Sequence, residues 1–279
     1  MKKLFLILLV AILTMVGSSA AQTVTVPQEI IDALNGKQQK PDLSKISILP
    51  KPDSKQSESD FLQNAYNATF LLYAQDSSGD MQIECTATSV LKYQKGFLLV
   101  TASHCIEEKY AYFITDDKEI KTFIPIDDAA CGNPGQGMDF CVIHVTTDQE
   151  YAVVPLGTNP TGIGGEPLAS VSNPLGMGKM VLRGNLAIPA LKRPMSQETD
   201  RIKSTWYNHI MFQMPGTFNG SSGAALLCLN QRAICGIVVG DIQMAKNTPP
   251  LLNVAVPIDE IVNQIVKAGI ARREEPAKK

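Results

Sequence analysis

The sequence predicts an all-β chain that ends in a single helix, and three observations carry that reading. From Ala68 onward short apolar runs are separated by turn signals such as Ser77-Ser78-Gly79-Asp80, which is strand punctuation. The pattern of about six runs stops near Tyr151 and then starts again. Helical spacing over a full face occurs once, at Ile258, Ile261, Val262, Ile265 and Val266. Strands without helices between them suggest barrels or sandwiches and not βαβ units.

The elements follow in order. Met1 to Ala21 holds Lys2 and Lys3, an apolar run from Leu4 to Val16, and the small residues Ser18-Ser19-Ala20-Ala21. This is the pattern of a secretory signal cleaved after Ala20 or Ala21. Its apolar core is shorter than the roughly 20 residues that span a bilayer, so no stable membrane span is expected after cleavage. No cysteine follows the small residues, which argues against a lipoprotein. Residues 22–60 read as a propeptide, a spacer or a plain arm, with room for a short helix over Gln28 to Leu34. Residues 61–271 carry the folded domain, and 272–279 form a polar tail.

In the first set the expected strands are Thr69 to Ala74, Met81 to Leu91, Phe97 to Val100, Tyr110 to Ile114, Ile120 to Ile124 and Phe140 to Val145. The second set is Pro167 to Val171, Met180 to Ile188, Ile202 to Phe212, Ala224 to Leu229, Ala233 to Val239 and Leu251 to Val256. The helix is expected over Ile258 to Ala268, with Pro257 at its start and Gly269 at its stop.

Composition narrows the function. The chain has 279 residues, 44% of them hydrophobic, enough for one large core or two small ones. Lys plus Arg is 25 and Asp plus Glu is 27, a formal charge of −2. That balance, with no basic run, gives no footprint for nucleic acid. No glycine-rich phosphate loop is present. Six cysteines in an exported chain suggest three disulfides, for which 15 pairings exist. Without Cys-x-x-Cys or His-x-x-x-His there is no zinc pattern.

Chemistry centres on Gly220-Ser221-Ser222-Gly223. Glycines allow the sharp bends that aim successive N–H groups at one point, which an oxyanion hole requires. A serine is a poor nucleophile without a base, and the three histidines, His104, His144 and His209, all precede Ser222. That order excludes an α/β-hydrolase, whose histidine follows its serine. His104 lies in Thr101-Ala102-Ser103-His104-Cys105, at the end of an apolar run; His144 falls mid-strand and His209 in a polar turn. Asp139 heads the run Phe140 to Val145, while its rivals Asp116, Asp117, Asp127 and Asp128 stand in polar loops. Ser89-Val90-Leu91-Lys92 matches Ser-x-x-Lys, but on an expected strand and without companion motifs.

Thr-Ala-Ser-His-Cys resembles the histidine motif of the chymotrypsin-fold (trypsin-like) serine proteases. Asp139-Phe140-Cys141-Val142-Ile143 is similar to their aspartate strand, and Gly220-Ser221-Ser222-Gly223 to their Gly-Asp-Ser-Gly. Val154-Pro155-Leu156-Gly157, Ser172-Asn173-Pro174-Leu175-Gly176 and Asn253 to Asp259 look closer to the Deg/HtrA-type branch. The likeness spans roughly Asn67 to Ile270.

The resemblance implies two six-stranded antiparallel β-barrels with a C-terminal helix, and a serine endopeptidase acting through an acyl-enzyme. It implies His104 as base, Asp139 as its orienting partner and Ser222 as nucleophile, with the N–H groups of Gly220 and Ser222 as the oxyanion hole. With proximity, it selects the pairings Cys85–Cys105, Cys131–Cys141 and Cys228–Cys235. It implies a specificity pocket with Gly216 at its floor and Thr217, Val238, Val239 and Gly240 as walls, and Asp241 just beyond. Gly216 offers no carboxylate and no histidine follows Ser222, so small or medium apolar side chains are expected there. Ser221 replaces the family's frequent aspartate, so no ion pair with a new N-terminus can form, and activity is expected not to depend on one starting residue. Such enzymes usually continue into a PDZ domain; this chain ends instead, so peptide sensing by a PDZ domain is not expected. Protein or peptide substrates, no metal and no cofactor complete the expectation, in a secreted or periplasmic protein whose oligomeric state composition leaves open. The rival reading is a protease-like module that holds peptides along Val238-Val239-Gly240 without cutting them.

Overall fold

The computed structural model describes residues 47–107, 109–115, 124–126, 128–162, 164–189, 208–243, 250–267 and 271–272. The secretory signal, the arm up to residue 46 with the short helix expected there, three rival aspartates (Asp116, Asp117 and Asp127) and the tail from 273 lie outside them.

Two antiparallel β units form, as the punctuation predicts. The first contains β2 (Thr69–Gln75), β3 (Met81–Tyr93), β4 (Gly96–Thr101), β5 (Ala111–Thr115), β6 (Ile124–Pro125), β7 (Asp128–Cys131) and β8 (Cys141–Thr146). Its order, β6-β5-β2-β3-β4-β8-β7, makes a seven-stranded half-barrel. The second contains β9 (Pro167–Ser172), β10 (Met180–Ile188), β11 (Ile210–Gln213), β12 (Ala225–Cys228), β13 (Ala233–Gln243) and β14 (Pro250–Pro257). These close into a six-stranded barrel in the order β10-β11-β14-β13-β12-β9. Strand β7 is not announced by its residues, Asp-Ala-Ala-Cys, which have little β preference. Pairing with β8 imposes its conformation, with Cys131 opposite Cys141.

Among the described residues two α-helices cover the sheets. The C-terminal one, α2 (Ile258–Lys267), follows the expected stripe and buries Ile258, Ile261, Val262 and Ile265. The other, α1 (Glu58–Asn67), starts at Ser57, whose hydroxyl accepts from the Asp60 N–H at 3.1 Å and donates to the Asp60 carboxylate at 2.6 Å. That reciprocal capping satisfies a donor that a helix start leaves orphaned. α1 buries Phe61, Leu62 and Ala65. At its far end Lys179 Nζ donates to the carbonyls of Tyr66, at 3.1 Å, and Thr69, at 3.0 Å. A cation suits a helix C-terminus, so α1 is tied to the segment that leads into β10.

One apolar cluster runs from β2, β3 and β4 through Val154 and Leu156 into β14 and α2. A smaller one fills the closed barrel with Leu168, Leu182, Phe212, Met214, Leu226 and Val238. The described end of the expected arm joins this body. Strand β1 (Ser47–Ile48) pairs in parallel with β15 (Ala271–Arg272), Leu49 is buried in the large cluster, and Arg232 Nε donates to the Gln56 carbonyl at 3.1 Å.

Burial of Leu49 generates a test of where the folded body begins. Leu49→Ala should lower unfolding stability by about 2–5 kcal/mol, the usual cost of emptying a core leucine site, measured by denaturant titration. An unchanged midpoint would show that the segment does not contribute to the core.

Candidate active site

Strand pairing brings His104 and Asp139 together. β4 and β8 are neighbours with Thr101 opposite Cys141. Beyond that pair one strand turns into a 3-10 turn, Ser103–Cys105, and the other is preceded by Asp139 and Phe140. His104 Nδ1 therefore lies 2.7 Å from Asp139 Oδ2. The His104 N–H donates to Asp139 Oδ1 at 3.0 Å, and the Ser103 hydroxyl donates to the same oxygen at 2.8 Å. Asp128, the one rival aspartate among the described residues, stands opposite His144 in the ladder. His144 is half-buried, edge-to-face with Tyr93, and His209 is buried near β11.

Burial is the largest single influence on the Asp139 carboxyl and disfavours its charge. The hydrogen bond and charge of His104, with the His104 N–H and the Ser103 hydroxyl, outweigh it and hold the carboxyl below its ordinary value of 3.8. An ionised carboxylate only accepts, so Nδ1 must carry the proton at this contact, and neutral His104 has its lone pair on Nε2.

Disulfides fasten both flanks. Cys85–Cys105 joins β3 to the turn that carries His104, with Cα atoms 6.1 Å apart. Cys131–Cys141 closes the loop that presents Asp139. Cys228–Cys235 spans the hairpin after Ser222, where a bulge leaves Cys235 between Ile234 and Gly236 without a partner of its own. These are the three pairings that the family resemblance implies.

The loop Phe218 to Gly223 lies against both units. Ser222 is half-buried, and its carbonyl accepts from the Thr86 N–H on β3 at 2.9 Å. Gly223 donates to the Val238 carbonyl at 2.8 Å, which starts the pairing of β12 with β13. Gly223 has φ 81°, and a Cβ there would stand 2.1 Å from Thr101 Oγ1 and 2.2 Å from the Thr86 carbonyl oxygen. Gly220 has φ 89°, and its Cβ would stand 2.3 Å from the Asn173 carbonyl oxygen. Only glycine fits either approach. The Ser222 hydroxyl makes no hydrogen bond to His104 among the described contacts; such bonds commonly tighten only when substrate binds.

Peptide orientation is set on both sides of Ser221. The peptides of the described residues are trans, so each N–H points opposite to the carbonyl before it. The Asn219 carbonyl accepts from the Leu175 N–H at 2.7 Å, and the Ser221 carbonyl from the Ala224 N–H at 3.1 Å. These bonds turn the N–H groups of Gly220 and Ser222 the other way, and neither has an acceptor among the described residues. Leu175 reaches its position with φ 55°. Ser221 is 1% exposed; its hydroxyl donates to Ser172 Oγ at 3.3 Å and accepts from the Phe218 N–H at 3.4 Å. A neutral contact thus occupies the place where an aspartate would need a cation.

The expected pocket residues divide. Gly216 lies against Leu182, whose Cδ2 is 3.1 Å from where a Cβ would be. Thr217 is buried and bonds the Met214 carbonyl through its hydroxyl at 2.9 Å. Val238 shares the closed-barrel cluster with Leu182 and Met214, whereas Val239 belongs to the larger cluster, and Gly240 and Asp241 are half-buried. The motifs point to neither Leu182 nor Thr86. Leu182 shows only as one buried position on an otherwise exposed stretch of β10.

A carboxyl held below its unfolded value stabilises the fold fully above that value, near 4, and the contribution is lost as pH falls through the lowered one. Asp139→Asn should therefore weaken the acid-side loss of stability in thermal melts taken at successive pH values. Identical acid dependence in the variant and the unaltered chain would contradict this role.

Comparison with known proteins agrees with this architecture. The family model of the trypsin-like peptidase domain matches residues 87–237. Similar solved structures include the HtrA-type protease AlgW with a decapeptide, at 16% identity, TM-score 0.57, covering 77% of this chain and 69% of that one. A variant of the same protease with a tripeptide matches at 17% identity and TM-score 0.56, covering 77% of this chain and 64% of that one. The variant with a decapeptide matches at 16% identity and TM-score 0.56, covering 77% and 68%. This chain thus spans about two thirds of the length of those structures or slightly less, and at such identity the likeness is one of fold. No curated protein matches. The family model covers more than half of the sequence, across both β units, and the chain belongs to the trypsin-like peptidase domain family.

Proposed function

We propose that this protein is a serine endopeptidase that hydrolyses peptide bonds through an acyl-enzyme. The observation that carries the reading is the 2.7 Å contact of His104 Nδ1 with a half-buried, ionised Asp139, which leaves Nε2 of the neutral ring as a proton acceptor. Two outward N–H groups, of Gly220 and Ser222, support it.

Ser222 Oγ attacks the scissile carbonyl carbon while His104 Nε2 takes its proton. The carbonyl oxygen becomes an oxyanion and accepts from the Gly220 and Ser222 N–H groups. Collapse breaks the C–N bond, and His104 gives its proton to the leaving amine. A water, activated by His104, then hydrolyses the ester and restores Ser222. Asp139 keeps the ring in the right tautomer and stabilises the imidazolium that forms. Two exposed apolar residues flank the Gly220 peptide: Leu175, whose N–H bonds the Asn219 carbonyl, and Phe218, two residues before it. Such a surface suits a polypeptide substrate. The secretory pattern at the N-terminus and three disulfides favour an exported protein.

Ser222→Ala should abolish casein hydrolysis and labelling by a fluorophosphonate while leaving the melting curve in place. Asp139→Asn should lower kcat by about 10⁴-fold, since the wrong tautomer is then favoured. Full activity in either variant would remove the triad assignment, and a chain that binds peptides without labelling would be a binding module.

Specificity follows from Gly216 and Val238, which border the apolar Leu182 and Met214. A buried lysine or arginine side chain would lack a partner there, at a cost of several kcal/mol. Profiling with a peptide library should give cleavage after Val, Ala, Leu or Ile. Dominant cleavage after Lys or Arg would overturn the pocket and implicate Asp241.

A further inference from the structure

Thr86 is fully buried on β3, opposite Leu71. It touches no atom that would react, yet its polar groups meet the residues around Ser222 from several sides. Its N–H donates to the Ser222 carbonyl at 2.9 Å. Its hydroxyl donates to the Gly220 carbonyl at 2.8 Å and accepts from the Asn173 N–H at 3.1 Å. Its own carbonyl accepts from the Thr101 hydroxyl at 2.8 Å, three residues before His104.

We propose that the Thr86 hydroxyl positions the oxyanion hole, acting as a strut between the half-barrel and the Gly220–Ser221 peptide; the inference rests on the serine-protease reading above. The direction of the hydroxyl is determined. A backbone N–H can only donate, so Oγ1 accepts from Asn173, and its single proton goes to Gly220. The peptide it holds lies between the two peptides whose N–H groups face outward. Gly220, at φ 89° and with no Cβ, has little intrinsic restraint on either torsion. Its conformation depends on the hydrogen bonds around it: Leu175 to the Asn219 carbonyl, Thr86 to the Gly220 carbonyl, the Ser221 N–H to the Phe218 carbonyl at 2.9 Å, and Ala224 to the Ser221 carbonyl. Of these, the Thr86 bond is the one made by a side chain, and a substitution can remove it without altering the backbone. Losing it leaves the Gly220–Ser221 peptide held through its N–H alone, to the Phe218 carbonyl, so Gly220 can turn and its N–H leaves the direction in which an oxyanion would meet it. A donor that is misaimed stabilises the transition state less while ground-state binding is kept, so the loss falls on kcat.

Thr86→Val keeps the shape and the bonds of the Thr86 backbone and removes the hydroxyl, with its bonds to the Gly220 carbonyl and the Asn173 N–H. It should lower kcat about ten-fold or more with KM within about two-fold. Affinity for a peptidyl aldehyde, whose hemiacetal oxygen mimics the oxyanion, should fall in proportion to kcat/KM. The acid limb of the pH–rate profile, which reports His104 with Asp139, should not move. Thr86→Ser, which keeps the hydroxyl, should restore kcat to within about three-fold. Full kcat in Thr86→Val, a rise confined to KM, a displaced acid limb, or equal impairment of Thr86→Ser would each overturn the inference. Should Thr86→Val lose its melting transition, Thr86→Ala carries the same test, and full kcat there overturns it. Ser222-dependent turnover by the unaltered chain is established first with Ser222→Ala. Its absence defeats the functional reading, and with it the inference, whereas full turnover by Thr86→Val in a chain that does use Ser222 defeats the role of Thr86 alone.

Discussion

Three donors converge on the Asp139 carboxylate, and much of the local architecture follows from that need. A carboxylate removed from water must be compensated by hydrogen bonds or neutralised. Here the compensation comes from one turn: the Ser103 hydroxyl, the His104 N–H and the His104 ring. That turn can reach Asp139 only because β4 and β8 are adjacent with Thr101 opposite Cys141. The disulfides at Cys105 and Cys141 hold the two segments from outside the contact. A slip of one residue in this ladder would turn every side chain to the other face and separate the imidazole from its partner.

The second constraint is the close meeting of backbones at the loop before β12. Gly220 packs on the Asn173 carbonyl and Gly223 on the Thr86 carbonyl, at distances that exclude any side chain. Close approach lets one strand of the half-barrel hydrogen-bond the loop directly. The loop is thereby held by both β units, and in the proposed mechanism its two outward N–H groups would meet the oxyanion without reorganisation. Replacement of an aspartate by Ser221 fits this picture. Its contact with Ser172 is local and neutral, so this loop does not require a charge delivered from elsewhere in the chain.

Where chemistry demands residue types in order, the chain was readable. Thr101 to Cys105, Asp139 to Ile143 and Gly220 to Gly223 each combine a reactive group with the start or end of an apolar run, and the fold joins the first two at hydrogen-bond distance. The strand alternation and the stripe of α2 were readable for the same reason: periodicity reports which side is buried. Helix α1 was not expected, because Phe61, Leu62 and Ala65 stand among polar residues. Its signal was the pair Ser57 and Asp60 at capping spacing. Leu49 and β7 carried no local signal, and their conformations come from what they pack on or pair with.

Hydrophobic periodicity, turn residues and the short motifs around His104, Asp139 and Ser222 can be read from the chain alone, since each is a property of neighbours in sequence. The class of fold, the pairing of His104 with Asp139 and the choice of glycine at 220 and 223 were open to that kind of reading. Register, bulges and long-range hydrogen bonds were not. Thr86 is 134 residues from Gly220 and 87 from Asn173, and Leu182 meets Gly216 only once the barrel closes. Such contacts arise from the packing of two sheets whose faces are individually satisfied by many partners. Local preference is silent about which hydroxyl will meet which carbonyl, and the tertiary structure decides it.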